Sequence, residues 1–60
     1  MTKNDYEIIA CCLADAYQDS DNDERTVRNI QHWLESEMMK DNPEFDLQKF
    51  ISAIEKYMTT

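Results

Sequence analysis

The absence of glycine constrains the fold of this 60-residue chain more than any other sequence feature. The two-residue turns that join β-strands into hairpins need positive φ angles, which glycine adopts most easily. Segments rich in asparagine and aspartate, which this chain contains, form the turns and caps that connect helices. The chain also has a single proline and no internal repeat. We therefore expect an all-α fold in one domain, residues 1–60.

Three amphipathic helices are predicted, over about residues 3–18, 23–40 and 46–58. In each, apolar residues recur at the spacing of one helix face. The predicted faces are Tyr6, Ile9, Ala10, Leu13, Ala16 and Tyr17, widened by Ile8 and Cys12, for the first helix; Val27, Ile30, Trp33, Leu34 and Met38 for the second; and Leu47, Phe50, Ile51, Ile54, Tyr57 and Met58 for the third. The short connections favour a small antiparallel helical bundle. Its core supplies only about 3–5 kcal/mol of net stability at this length.

Capping signals define the ends of these helices. Thr2 followed by Asp5 is the pattern of a capping box at the first helix. The proline ends the second helix, because the residue before a proline is disfavoured in helical conformation. Asp46 is a good N-cap for the third helix. Phe45 before this cap and Phe50 at the fourth helical position predict a hydrophobic staple.

The two cysteines, Cys11 and Cys12, are adjacent. Neighbouring side chains on a helix point about 100° apart, which does not suit a disulfide between them. No secretory signal precedes them. We expect a reducing, cytosolic setting with two free thiols, and we interpret both cysteines as small packing residues.

Thirteen acidic residues against six basic ones give a net charge of −7. Direct nucleic-acid binding is unfavourable for such a chain, since backbone phosphates repel it. The same charge favours attraction to basic surfaces. No stretch approaches the roughly 18 apolar residues of a membrane span, and anionic membranes repel the chain, so no membrane association is expected.

The densest acidic stretch is the strongest local feature, and we refer to it as the acidic segment. It consists of Asp15, Asp19, Asp21, Asp23 and Glu24. Calcium-binding loops also open with alternating aspartates, but they need glycine at the sixth position and a bidentate glutamate at the twelfth. Here Glu24 and Ile30 occupy these positions, so we expect no specific calcium site, nor any other metal or cofactor.

Two interpretations of the acidic segment remain open. It is either a solvated helix connection whose acids complement the dipole of the second helix, or an interaction patch for a basic surface. In the second case its carboxylates resemble a row of phosphates.

Other residues offer little chemistry. His32 is expected at the surface, with Glu35 within reach one turn on. No converging pair of groups for acid–base catalysis is present, so we predict no enzymatic activity. Trp33 is expected in the core; an exposed Trp33 becomes the strongest interface candidate, because aromatic anchors dominate interfaces. Met39 lies off the main stripe, either exposed or against a second subunit.

Two stretches of the sequence have a characteristic order of residues. They are residues 2–10 (TKNDYEIIA) with 13–16 (LADA), and residues 41–46 (DNPEFD) with 49–51 (KFI). Both resemble a group of small proteins encoded by bacteriophages and prophages, in which an Asn-Pro-x-Phe-Asp turn leads into the last helix. The resemblance implies a cytoplasmic protein of an infected bacterium that binds a host or defence complex. Anti-CRISPR and anti-restriction proteins are specific versions of this role.

The leading hypothesis is therefore a protein that inhibits or modulates a host or defence nucleic-acid-handling protein, whose basic surface it binds through the acidic segment. The alternative is a structural or assembly protein that works as a homo-oligomer, such as a homodimer. In that case the functional surface is the apolar area left over on the first and third helices, including Tyr6, Ile8 and Tyr57.

Overall fold

The computed structural model describes residues 2–58, which form three helices. They are α1 (Lys3–Gln18), α2 (Glu24–Asp41) and α3 (Leu47–Met58). The predicted all-α fold is confirmed, and α1 has the predicted bounds. Helix α2 begins and ends one residue later than predicted, because Asp23 acts as a cap instead of the first helical residue. Helix α3 begins at Leu47, directly after its predicted cap Asp46. No residue between 2 and 58 has a positive φ angle, in keeping with a chain that lacks glycine.

Helix α1 begins with the predicted capping box. The backbone N–H of Asp5 donates to the Thr2 hydroxyl at 3.3 Å, and the backbone N–H of Thr2 donates to Oδ2 of Asp5 at 2.9 Å. The backbone N–H of Thr2 foremost, and then its side-chain hydroxyl, hold the pKa of the Asp5 carboxyl below its ordinary value by hydrogen bonding. The cause is that hydrogen bonds donated to a carboxylate stabilise its charged form.

Short polar side chains close the connection between α1 and α2. The side-chain amide of Asn22 donates to the backbone carbonyl of Ala16 at 3.1 Å, and its backbone N–H donates to the carbonyl of Asp19 at 3.0 Å. The N–H of Asp21 donates to Oδ1 of Asp19 at 2.9 Å. Side chains that bond to nearby backbone groups thus make a turn here without glycine.

Helix α3 begins with the predicted cap and staple. The Asp46 carboxylate accepts from the backbone N–H of Lys49 at 3.1 Å. The rings of Phe45 and Phe50 meet edge to face with their centroids 5.6 Å apart, which confirms the staple. The ring of Tyr6 in α1 lies 4.9 Å from that of Phe45, so the staple also joins α3 to α1.

Helices α1 and α3 run parallel, and their interface is the most extensive one in the molecule. Tyr6, near the start of α1, contacts Phe45 just before α3. At the opposite end, the Gln18 side-chain amide donates to the carbonyl of Met58. Both helices therefore begin at one end of the molecule and finish at the other.

Helix α2 runs antiparallel to α1 and packs against it less extensively. Tyr17 in the last turn of α1 donates to Gln31 in α2. The Asn42 side chain, directly after α2, donates to the Tyr6 hydroxyl at 3.4 Å. The chain thus runs up, down and up, as short connections require.

All three predicted faces contribute to one small core. Its buried residues are Ala10, Leu13, Ala14, Val27, Met38, Phe50 and Ile54. Partly buried apolar side chains surround them, among them Tyr6, Ile9, Tyr17, Leu34, Phe45 and Tyr57. The core is continuous across the three helices, although it is thin.

The predicted core face of α2 was wrong for Ile30 and Trp33, both of which are exposed. At about 100° per residue, Trp33 lies roughly 120° round the helix from the centre of the stripe formed by Val27, Leu34 and Met38. The real core face of α2 is therefore rotated away from the tryptophan. Polar residues occupy the place that Ile30 and Trp33 were expected to fill.

Three further apolar positions were also assigned to core faces in error. Ile8 and Cys12 are exposed, since they lie on the side of α1 roughly opposite Ala14. Met58 is exposed because it is the last residue of α3, where the bundle ends.

Within residues 2–58, no helix combines the length and the apolar character needed to cross a membrane.

Candidate interaction surfaces

The structure places all five side chains of the acidic segment on the surface, where α1 ends and α2 begins. Asp15 lies in the last turn of α1, Asp19 caps its end, Asp21 lies in the turn, Asp23 caps α2 and Glu24 is the first residue of α2. The stretch is therefore one exposed rim at one end of the molecule.

Three of these side chains have structural roles. Oδ2 of Asp23 accepts from the backbone N–H of Thr26 at 3.2 Å and from its hydroxyl at 3.1 Å. Glu24 forms an exposed ion pair with Arg28 at 3.1 Å, which partly offsets its charge. The Asp19 carboxylate accepts a backbone N–H within the turn. For these three residues, a role in the helix connection is enough to explain why the side chain is acidic.

The other two carboxylates have no such role. Among the residues that the structure describes, the Asp15 and Asp21 carboxylates make no hydrogen bond and no ion pair. Their charges are therefore the part of the acidic segment that is available to another molecule.

The arrangement of the helices adds to the negative potential at this end. Because α1 and α3 are parallel, both of their C-termini lie here, and a helix C-terminus carries the equivalent of about half a negative charge. The last turn of α1 contains no basic residue, and that of α3 contains Lys56. The N-terminus of α2 offsets one of the two helix dipoles.

The acidic segment is not arranged as a metal site. In the part of the chain from 2 to 58, no three His, Cys, Asp or Glu side chains come together in a group that could hold a metal ion. Glu24 and Ile30, where a calcium loop would need glycine and glutamate, both lie in α2. The backbone there is helical and does not wrap around an ion.

The outer surface of α2 is a second candidate surface. Trp33 is 71% exposed, and Ile30, one turn earlier on the same side, is 42% exposed. We call this surface the Trp33 face; the other side chains around Trp33 at helical spacing are Thr26, Asn29, Ser36, Glu37 and Lys40, all exposed. The prediction of a core Trp33 is thus corrected, and its stated alternative, an interface residue, becomes relevant.

A chain of hydrogen bonds links α1 to α2. The Tyr17 hydroxyl donates to Oε1 of Gln31, and Nε2 of Gln31 donates to Oε2 of Glu35 at 2.8 Å. Nδ1 of His32 lies 3.1 Å from Oε1 of Glu35, a distance at which a protonated nitrogen donates. The predicted surface position of His32 and its contact with Glu35 are confirmed.

Sequence reasoning missed the burial of Glu35, which is only 6% exposed. The signal was present in its spacing. Val27, Gln31, Glu35 and Met38 follow one another at intervals of three or four and share a helix face. Buried polar groups need hydrogen-bond partners, and Glu35 finds two. Both partners lie in α2, and one of them, Gln31, connects the carboxylate to Tyr17 of α1.

A groove of about 330 Å³ lies between the starts of α1 and α3. Aromatic rings of Tyr6, Phe45 and Phe50 form its floor, and its rim carries charges of both signs. The rim residues are Lys3, Glu7, Glu44, Asp46 and Lys49. The phenylalanine pair was predicted as a staple, but a groove depends on how α3 lies on α1, which the sequence does not show. The groove therefore presents an aromatic floor inside a rim of mixed charge.

The cysteines occupy different environments. Both are free; Cys11 is half-buried and Cys12 is exposed. The interpretation as packing residues suits Cys11 and is wrong for Cys12.

Comparison of the chain with models of known protein families, with curated protein sequences and with solved structures found no match.

Proposed function

We propose that this protein acts by binding, not by catalysis, and that the acidic segment engages a basic surface of a partner protein. The observation that carries the proposal is the pair Asp15 and Asp21. Both carboxylates are exposed, and neither has a structural role within residues 2–58. They lie at the end of the molecule where two helix C-termini meet one helix N-terminus, which leaves the dipole of one C-terminus uncompensated. A partner with lysine or arginine side chains at matching spacing gains charge-assisted hydrogen bonds to them.

The partner class follows from charge and from the resemblance to phage proteins. Proteins that handle nucleic acids carry basic channels, and a rim of carboxylates presents negative charge to such a channel as phosphates do. The resemblance implies that the partner is a host or defence protein in the bacterial cytoplasm, which this chain would inhibit or modulate. The exposed acids would also steer the encounter, since the chain carries a net charge of −7.

The experiment compares two variants of equal charge. Asp15→Asn with Asp21→Asn removes the two carboxylates without internal partners. Glu44→Gln with Glu55→Gln removes two exposed charges elsewhere. Each tagged chain is used to capture proteins from a bacterial lysate, and the captured proteins are quantified by mass spectrometry. We expect proteins with basic surfaces to be lost severalfold in the first variant and retained in the second.

Asp23 and Glu24 are left intact, because changing them would disturb the cap and the first turn of α2. Equal recovery by both variants would remove the acidic segment from the function. Raising the salt concentration should release the captured protein, since exposed charges are screened within about 10 Å at 0.1 M. The nucleic-acid-binding or cleavage activity of that protein is then measured with and without the chain. An unchanged activity would argue against inhibition.

A further inference from the structure

The Trp33 face has no role in the core and none in the acidic segment. Its two apolar side chains, Trp33 and Ile30, are exposed, and Trp33 lies on the outer side of α2. Around them are the neutral polar residues Thr26, Asn29 and Ser36. Glu37 and Lys40 complete the face, and they pair with each other at 3.2 Å, so the local charge is balanced. An apolar pair whose surround has no net charge is a surface suited to burial against protein.

The charge distribution indicates which protein. Helix α2 contains three basic residues, Arg25, Arg28 and Lys40, against the four acids Glu24, Glu35, Glu37 and Asp41. Its net charge is therefore −1, while α1 carries −2, α3 carries +1 and the two connections carry −5. Two copies of this chain repel each other most strongly where these acidic connections meet. They approach more easily along a helix of nearly balanced charge, and of α2 and α3 only α2 exposes large apolar side chains before its last turn.

We infer that a second copy of this chain covers the Trp33 face, with the two α2 helices packed side by side and antiparallel. Nine residues of α2 precede Trp33 and eight follow it, so the tryptophan lies at the helix midpoint. A two-fold axis at the midpoint brings the two tryptophans together, because a two-fold interface pairs the same patch on both copies. Each tryptophan then also lies against Ile30 of the other copy, in the manner of a knob in a hole.

The size of the surface sets the strength of the dimer. An 18-residue helix is about 27 Å long and, with its side chains, about 10 Å wide. Stable dimers bury roughly 800 Å² on each partner, which is more than one such helix face provides. The dimer is therefore weak and forms reversibly as the concentration rises. Trp33 supplies the largest contact, since an aromatic side chain buries about 150–250 Å².

Another exposed apolar residue, on α1, provides a contrast. Ile8 on α1 is 54% exposed, but Asp5, three residues earlier, and Asp15, two turns later, lie on the same side of the helix. Two copies that met through this surface would bring acids against acids. The same apolar exposure thus leads to association on α2 and to none on α1.

The test measures mass in solution by sedimentation equilibrium over a series of concentrations. Trp33→Ala and the control Ile8→Ala each truncate one exposed apolar side chain to alanine, which favours helix. We expect the average mass of the unmodified chain to rise above 7.2 kDa with concentration. The dissociation constant should rise at least tenfold in Trp33→Ala and stay unchanged in Ile8→Ala. A strictly monomeric chain, or equal weakening by both substitutions, would refute the proposal.

Two further readouts separate this proposal from binding through the acidic segment. Trp33 is the single tryptophan of the chain, so its fluorescence emission reports this face alone and should shift to longer wavelength on dilution. Added salt should strengthen the dimer, because it screens the repulsion between two chains of charge −7. A dimer that salt dissociates would instead pair the acidic segment with cations of a second copy, and would contradict the placement on α2. Failure of the dimer leaves the binding of a basic partner untouched, since that uses Asp15 and Asp21.

Discussion

Helix α3 packs on α1 through aromatic and aliphatic side chains, whereas α2 meets the same helix partly through hydrogen bonds. The first interface contains the rings of Tyr6, Phe45 and Phe50 with Ile54. The second combines a few apolar residues with the buried carboxyl group of Glu35. Apolar packing holds α3 against α1, and paired hydrogen-bond donors and acceptors orient α2. In keeping with this difference, α3 buries Phe50 and Ile54, while α2 displays its tryptophan.

The largest expected effect comes from the α1–α3 interface. Phe50 is 3% exposed, and truncating a buried phenylalanine costs about 3–5 kcal/mol. This equals the whole net stability expected for a chain of this size, so Phe50→Ala should be largely unfolded at 25 °C. Urea denaturation followed by circular dichroism, at a dilution where the chain is monomeric, measures the change.

Trp33→Ala is the matched control for this variant, because it removes a larger side chain from an exposed position. Its free energy of unfolding should change by no more than about 0.5 kcal/mol. A loss as large as that of Phe50→Ala would show that the outer side of α2 is packed, and would erase the contrast between the two helices.

The α1–α2 interface should respond next. Glu35→Ala leaves the Gln31 side chain without its acceptor, and such a loss costs about 1–3 kcal/mol. Glu35→Gln keeps an acceptor and should cost less. The exposed Glu37→Ala serves as the control, since it lies half a turn away on the same helix. Chemical denaturation compares the three variants. Equal stability of Glu35→Ala and Glu37→Ala would mean that hydrogen bonding does not orient α2.

A double-mutant cycle tests whether the hydrogen bonds act together. Tyr17→Phe removes the hydroxyl that donates to Gln31. If the hydrogen bonds of Tyr17, Gln31 and Glu35 form one network, the effects of Tyr17→Phe and Glu35→Ala should be non-additive by about 0.5–3 kcal/mol. Additive effects would separate the tyrosine contact from the buried carboxyl.

The cap of α2 gives a smaller effect. Asp23→Ala removes the acceptor for the Thr26 backbone N–H and should cost about 0.5–2 kcal/mol. Asp21→Ala, two residues earlier, removes a carboxylate of equal charge that has no partner within residues 2–58, and it should be nearly neutral. Thermal unfolding distinguishes them. The two variants should behave alike only if α2 does not depend on this cap.

The smallest effect concerns the start of α1. Because the folded-state pKa of Asp5 is depressed, its contribution to stability is present above the ordinary aspartate pKa and is lost as the pH falls through the folded value. A titration of the Asp5 carboxyl by NMR should give a midpoint below the ordinary aspartate value of about 3.9. In Asp5→Asn, the free energy of unfolding should change less with pH over this acidic range. A midpoint at the ordinary value would indicate that the capping box is not formed in solution.

Helix existence and helix ends were predictable because they depend on local interactions. The Thr2 and Asp5 box, the Asp46 cap and the staple of Phe45 with Phe50 each involve residues no more than five apart. The rotation of α2 was not predictable in the same way. Apolar spacing places Trp33 beside Leu34 on one broad stripe, and it gives no indication that Glu35 will be buried. That burial depends on Gln31 meeting Tyr17, a residue on another helix.

The candidate surfaces show the same difference between local features, which the sequence predicts, and features of helix packing, which it does not. Charge and spacing located the acidic segment, but only the structure separates Asp15 and Asp21 from the acids that cap and pair. From the sequence, a buried Trp33 was the expectation and an exposed one the alternative, since a tryptophan next to a leucine in a helix is more often buried. The groove at Tyr6 needed the packing of α3 on α1, which involves residues about forty positions apart.

The extensive interface between the first and last helices has a consequence for how the chain reaches its fold. The segment between α1 and α3 is 28 residues long, and closing a flexible loop of that length costs on the order of 3 kcal/mol in entropy before any contact compensates it. Helix α1 meets its main packing partner only when α3 has been synthesised. We therefore expect α1 to stay unpacked until α3 has emerged from the ribosome. A product truncated after α2 should remain unfolded, and cellular proteases should remove it.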